Sequence, residues 1–334
     1  MFWGGAGVSK KLRWLLCVLT LPVLGFPLAG CGQAAPPDRV LNIGVLLGSS
    51  GLGDRSFNDS AYSGLLEAQN LYNIRFEIAN FDTAEANLQA LRTFTRSNYD
   101  LIIGVAFENM NTIKTVAHEY PGARFGGIDF ELAGDNIASV VYREQEADFL
   151  MGVLAAMLTR TRSVGVIGGT DIPAIQRIMN GFKQGVAYQD NTVKVFTDFA
   201  GTFSDPQVGY NLALKRYREG ADVIHNAASR TGLGIIQAAQ EAGKLTTGTS
   251  GDQRYLAPGN VVGNRPKRVD TAVLMLIKDI KDSQFESGIR SLGLKENGLA
   301  LGPFDESIVS QTMLNRLESL KQDIINGRIT VLAQ

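Results

Sequence analysis

The chain has 334 residues, 45% of them hydrophobic and 19% charged, with 32 Lys and Arg against 33 Asp and Glu. A formal net charge of −1, with no basic patch, excludes a surface built to grip nucleic-acid phosphates. Two Cys and two His leave no metal-spaced Cys/His group.

Ser9-Lys10-Lys11-Leu12-Arg13 is a short basic region, and residues 14–26 are apolar. That run is too short to span a bilayer of ~30 Å as a helix and reads as the core of a secretory signal peptide. Leu28-Ala29-Gly30 then lead into Cys31. This matches the bacterial lipobox, with cleavage before Cys31 and lipidation of that cysteine; a plain signal peptide cut near Ala35 is the alternative. Residues 1–30 are thus expected to be a signal peptide, and 31–39 a lipidated N-terminus and short Ala/Pro tether. Cleavage removes Lys10, Lys11, Arg13 and no acid, so 29 basic residues face 33 acidic ones, a charge of −4. Cys17 leaves with the signal, and no disulfide is then possible within one mature chain.

Residues 41–47 read as a buried strand, followed by a Gly/Ser loop and a helical pattern carrying Ala61, Leu65, Ala68 and Leu71. Strand, glycine-rich turn and helix N-terminus form a ligand-binding corner in open α/β sheets. Gly48, Gly51 and Gly53 fit neither the dinucleotide fingerprint nor the P-loop. Asn58 is placed to cap the helix. Phe57 either staples onto Tyr62 or lies open as a plate for a planar ligand.

Further strands are expected at 73–80, 101–106, 123–129, 163–167, 192–199 and 221–226, with a weak one near 245–248. Helices are expected at 84–97, 110–119, 144–158, 174–189, 206–219, 232–242 and 269–282. Short apolar strands between helices call for parallel sheets covered on both faces. The alternation starts twice, which predicts two lobes: 40–143, with roughly 254–300 returning to it, and 144–253, with part of 301–334. Ligand groups belong just beyond the C-terminal strand ends. That rule selects residues 54–58, Phe107 to Asn109, Asp129 and Phe130, 168–170, 203–205, 229–232 and Asp252.

The segment GSSGLGDRSFND (residues 48–59) resembles the opening motif of the basic membrane protein family, the substrate-binding lipoproteins of ABC importers. The resemblance continues through YREQEADFLMGVLAA, GVIGGTDIP, GTFSDP, ADVIHNAASRTGLG, GDQ and PKRVD, in that order. It implies two Rossmann-like lobes joined by a hinge, as in type I periplasmic binding proteins, with a small aromatic solute held in the cleft. Several family members bind purine nucleosides. By that resemblance Phe57 and Phe203 sandwich a base, Asn58 and Asp129 bond its edge, and Asp252 and Lys267 hold the sugar hydroxyls. The strand-end rule adds Asp54 and Gly232 as expected ligand-binding positions. Each has a plainer reading: Asp129 as a turn cap, Phe203 as core, and Lys267 as a solvated charge in the polar loop 264–268.

The chain departs from the family in Ser229-Arg230, in Thr249-Ser250-Gly251-Asp252-Gln253, which lacks one of two acids, and in Asn264-Arg265-Pro266 before Lys267. Arg230 near the cleft either fills space or favours a ligand with a carboxylate, phosphate or extra carbonyl. No nucleophile–base set appears, and no cofactor or metal is expected. Only Asp129 and Asp252 are a carboxylate pair to test for sugar hydrolysis. The expectation is a monomeric, membrane-anchored, extracytoplasmic binding protein that passes a nucleoside-like solute to an ABC permease and ATPase. Riboflavin or another heterocycle as solute, or ligand sensing for a membrane receptor, are the alternatives.

Overall fold

The computed structural model describes residues 39–81 and 83–334. The expected signal peptide, Cys31 and residues 31–38 lie outside the described residues. Among the described residues, no helix is long and apolar enough to cross a membrane.

The chain opens with β1 (Leu41–Leu46), α1 (Phe57–Leu71), β2 (Ile74–Ala79), α2 (Ala84–Arg96), β3 (Leu101–Val105), α3 (Met110–Glu119), β4 (Phe125–Ile128) and β5 (Ile137–Tyr142). There follow α4 (Glu144–Leu158), β6 (Ser163–Gly168), α5 (Pro173–Gln189), β7 (Lys194–Phe199), α6 (Pro206–Arg218), β8 (Val223–Ala227), α7 (Thr231–Ala242), β9 (Leu245–Thr249) and β10 (Val261–Arg265). The chain closes with α8 (Val269–Lys281), β11 (Gly288–Leu292) and α9 (Gln311–Ile325).

These strands form two parallel sheets, ordered β11-β5-β4-β3-β1-β2 and β10-β9-β8-β6-β7. Helices cover the sheets, which is the α/β class expected from the alternation. Position in the sheet explains the patterning. Central β3, β5 and β8 are buried at every residue, whereas edge strands β2, β7 and β11 alternate with solvent. A strand covered on both faces needs a continuous apolar run; one at an edge does not.

β10 is an edge strand and yet wholly buried. The segment after β11 lies along it, through antiparallel bridges Gly263–Phe304 and Lys267–Leu299. Because β10 pairs with β9, the expected return of residues 254–300 to the first sheet begins only after Arg265. Then α8 packs on α1, β11 joins β5, and α9 packs on α4. The chain thus crosses between the sheets at 143, 266–268 and 293–310, so the hinge has three strands.

Helices α4 and α5 pack closely because glycines remove side chains at their crossing. A Cβ added at Gly185 would stand 1.8 Å from the Phe149 carbonyl oxygen, and one at Gly181 2.4 Å from that of Gln145. This pair backs the second sheet and carries Glu144 and Arg177 to the edge of the cleft.

Candidate functional site

The C-terminal ends of both sheets face one cavity, with an empty volume of about 640 Å³ counted out to its mouth. Phe57 and Asn58 enter it from the start of α1, Phe107 and Glu108 from beyond β3, and Asp129 from beyond β4. Phe203, Ser229, Thr249, Ser250, Arg265 and Lys267 enter from the second sheet and its crossing to α8. Ile172, Ile175 and Ile178 supply an apolar wall from α5 and the turn before it. Apolar walls with a few convergent polar groups are the usual make-up of a small-molecule site.

Backbone strain gathers at this cavity. Ala106, Asp129, Ser229 and Ser250 all line it, and all have positive φ, at 81°, 74°, 50° and 61°. Non-glycine residues in that region cost of order 1–3 kcal/mol each and persist where the surroundings over-determine them, as at ligand clamps.

Asp54 organises the first loop. Its Oδ1 accepts from the backbone N–H of Ser56 and Asp59, and its Oδ2 from the N–H of Asn58, at 2.9, 3.2 and 2.9 Å. A buried carboxylate thus satisfies the orphan donors at the helix N-terminus and complements its dipole. The expected cap, Asn58, lies inside the helix: the N-cap position is Ser56. The Asn58 amide is itself engaged, with Oδ1 accepting from Gly48 N–H and Nδ2 donating to Ser50 Oγ and Asp54 Oδ2. Asn58 borders the cavity, but both its amide protons are already used. Asp54 acts beneath the site and does not line the cavity.

The polar loop at 264–268 is not solvated. Asn264, Arg265 and Lys267 are 0%, 2% and 5% exposed. Lys267 Nζ donates to Asp129 Oδ1 at 2.7 Å and to Glu144 Oε1 at 2.8 Å, and it stands 5.6 Å from the centre of the Phe57 ring. Arg177 Nε donates to Glu144 Oε2 at 2.6 Å. Burial works against the Glu144 carboxylate, but Lys267 and Arg177 outweigh it and hold its pKa below the usual range. Burial instead prevails at Asp129, where nearby Glu144 adds to it against the pull of Lys267, and the carboxyl is pushed up.

A second buried chain lies behind the cavity wall. Asp148 Oδ1 accepts from His225 Nε2 at 2.7 Å and from Arg265 Nε at 3.0 Å, and His225 Nδ1 faces Thr247 Oγ1 at 2.7 Å. The Asp148 carboxylate can only accept, so a neutral imidazole carries its proton on Nε2, and Nδ1 accepts from the Thr247 hydroxyl. Burial lowers the His225 pKa, consistent with a neutral ring.

Two expected positions fall elsewhere. Asp252 is not among the cavity-lining residues: it pairs with Arg254 at 2.8 Å and accepts from Asn264 Nδ2 at 3.2 Å. The positive-φ turn at Ser250 puts that serine in the cavity instead. Gly232 is a packing position, since a Cβ there would lie 2.3 Å from Asn226 Oδ1. Phe57, Phe203, Asp129 and Lys267 do share the cavity. Arg265, no candidate from the sequence, also lines the cavity; its cue is the apolar run Val261-Val262-Gly263, which marks a strand ending at that residue.

The two sides meet across the mouth. Ser229 Oγ donates to Asp54 Oδ2 at 2.9 Å, Arg230 Nη2 to the Leu52 carbonyl at 2.7 Å, and Gln253 Nε2 to the Arg55 carbonyl at 2.8 Å. These bonds tie the first loop to the second sheet's loops, a closed arrangement of the cleft.

A family model described as Bmp, ABC transporter substrate-binding protein PnrA-like, matches residues 41–334. Basic membrane protein A of Borreliella burgdorferi is 29% identical over 288 residues, covering 83% of this chain and 84% of that protein. An uncharacterized lipoprotein of Pyrococcus furiosus is 31% identical over 313 residues, covering 89% and 78%. Among solved structures, an ABC-transporter solute-binding protein of Aeropyrum pernix K1 superposes with a TM-score of 0.81 at 29% identity, covering 88% of this chain and 94% of that one. One from Conexibacter woesei gives 0.72 at 19% identity, covering 88% and 99%, a likeness of fold. The two parallel sheets are those of the type I periplasmic-binding-protein fold, and the chain belongs to the Bmp family of PnrA-like ABC-transporter substrate-binding proteins.

Proposed function

We propose that this solute-binding protein captures a purine nucleoside in the cavity between its sheets. The observation that carries the reading is that Phe57 and Phe203, from opposite sheets, line one cavity together with Asp129 and Lys267. Aromatic faces stack on any purine, contributing ~1–3 kcal/mol per base. Asp129 Oδ2 has no hydrogen-bond partner among the described residues, leaving it to accept from a ring or sugar donor. Lys267 Nζ has two acid partners and a third proton to offer. Ligand touching both sides stabilises the shut state, since it gains contacts there that the open state lacks.

The protein works outside the cytoplasm, anchored through a lipidated Cys31, as a monomer that delivers its solute to a permease and ATPase. It is read as a binder and not a catalyst because its family is one of substrate-binding proteins. The test is mass spectrometry of small molecules released on denaturing the purified protein, followed by calorimetric titration with nucleosides, free bases and flavins. A released nucleoside that rebinds supports the reading. A flavin, or no affinity for any nucleoside, overturns it. Metabolic labelling with an alkyne fatty acid tests the anchor, and loss of label in Cys31→Ala is the expected result.

A further inference from the structure

We propose that Arg265 makes this cleft selective for a neutral ring edge carrying a carbonyl oxygen, so that keto-type purines are preferred to amino-type ones. The inference rests on the nucleoside reading above and refines it. Arg265 ends β10, is 2% exposed, and lines the cavity. Its guanidinium is held from behind by one bond, Nε–H to Asp148 Oδ1 at 3.0 Å. Among the described residues Nη1 and Nη2 have no hydrogen-bond partner. Two coplanar donors are therefore fixed at the wall with nothing on the protein to answer them.

Charge decides what answers them. The Arg265 cation is already balanced by Asp148, which is 0% exposed, and Lys267 lies between Asp129 and Glu144. Glu108 adds another carboxylate to the lining. Arg265 and Lys267 are the cations among the lining residues and both are paired, so a full anion brought here would meet these acids with no free cation of the lining to receive it. A neutral acceptor pair costs far less to desolvate and suits the fork of donors, as a guanidinium suits the O6 and N7 of guanine. An exocyclic amino group at the same edge would point donor at donor, and the desolvated guanidinium would go unpaired.

The experiment is calorimetric titration of the purified, exhaustively dialysed protein with inosine and with adenosine, which differ at that edge in carbonyl against amino group. Wild type should prefer inosine by about tenfold or more, the discrimination expected of one bidentate pair. Arg265→Lys keeps the cation for Asp148 but loses the fork, and should bring the ratio near one. The double variant R265M/D148N removes donor and counter-charge together, so that no buried charge is orphaned, and should do the same; circular dichroism checks its fold. Equal, measurable affinity of wild type for both nucleosides overturns the inference and leaves the nucleoside reading standing. So does a preference for inosine that survives in either folded variant. Should wild type bind neither, the nucleoside reading fails and takes this one with it.

Discussion

Lys267 and Asp129 meet at 2.7 Å in the cleft, although they lie 138 residues apart, one on a crossing between the sheets and the other just beyond β4. Each also serves a second purpose. Lys267 neutralises Glu144 at the start of α4, and Asp129 lines the cavity with its second carboxylate oxygen unpartnered among the described residues. A single cation thus links the frame of the hinge to the wall of the site.

The two acids around Lys267 should respond differently to neutralisation. Glu144 answers both Lys267 and Arg177, so Glu144→Gln leaves buried cations under-compensated and should cost about 3–5 kcal/mol. Asp129→Asn removes a carboxyl that burial already disfavours in its charged form, so it should cost less stability. It should nevertheless weaken ligand binding by ~1–3 kcal/mol through loss of an acceptor. Urea unfolding and calorimetry on the two variants separate these effects; equal destabilisation by both would contradict the assignment.

Ligand affinity should depend on pH through Asp129. Its pKa is raised in the folded protein, so between the ordinary carboxylate value of about 3.9 and the raised one the fold binds more proton than the unfolded chain. A ligand donor to Asp129 needs the carboxylate and must displace that proton. Affinity should therefore be constant above the raised value and fall as pH drops below it. Titrations across the acid range test this, and Asp129→Asn should show no such fall.

His225 gives stability the opposite kind of dependence. Its folded pKa is lowered, so below the ordinary value of about 6.5 the unfolded chain takes up a proton that the fold excludes. The contribution is complete above that value and is lost as pH falls from it toward the depressed folded one. His225→Gln keeps a donor for Asp148 without titrating. Its melting temperature should change less between pH 7 and the mildly acid range than that of wild type, by differential scanning calorimetry.

Phe57→Ala and Phe203→Ala should each weaken nucleoside binding by ~1–3 kcal/mol. Phe57 is partly buried at the start of α1, and Phe203 rests against Gly169, so either truncation opens an already hollow region. Both variants should keep the wild-type circular dichroism. Retention of full affinity in both would remove the basis for a stacked ligand.

Gly185→Ala should destabilise the fold without touching the site. The added Cβ would stand 1.8 Å from the Phe149 carbonyl oxygen, and that atom belongs to helix backbone with no rotamer to escape into. Overpacking of this kind costs about 1–3 kcal/mol, more if α4 and α5 must separate. Chemical unfolding gives the loss directly, and an unchanged midpoint would show that the helix pair yields.

Local chemistry made much of this protein readable beforehand. Residues 101–105 are apolar throughout because β3 is covered on both faces, and α4 occupies the span 144–158 that its apolar spacing predicts. The rule that ligand groups lie beyond C-terminal strand ends selects Phe57, Asp129 and Phe203, which share one cavity, and also Asp252, which lies outside it. What misled was polarity in sequence. Asn264, Arg265 and Lys267 look like a solvated loop, because their partners Asp252, Asp148, Asp129 and Glu144 lie 12 to 138 residues away.

The sequence by itself determined the alternation of buried strand and amphipathic helix, hence two parallel sheets and the strand ends that border the cavity. That follows because backbone hydrogen bonding and apolar burial are settled over a few residues at a time. The tertiary structure alone decided which charges are buried, that Asp252 turns to Arg254 while Arg265 faces the cavity, and that Asp54, not Asn58, caps the first helix. Those outcomes depend on pairs of groups far apart in the chain: a charge stays in an apolar interior only where the fold brings it a counter-charge or donor, and no local pattern records which partner that is.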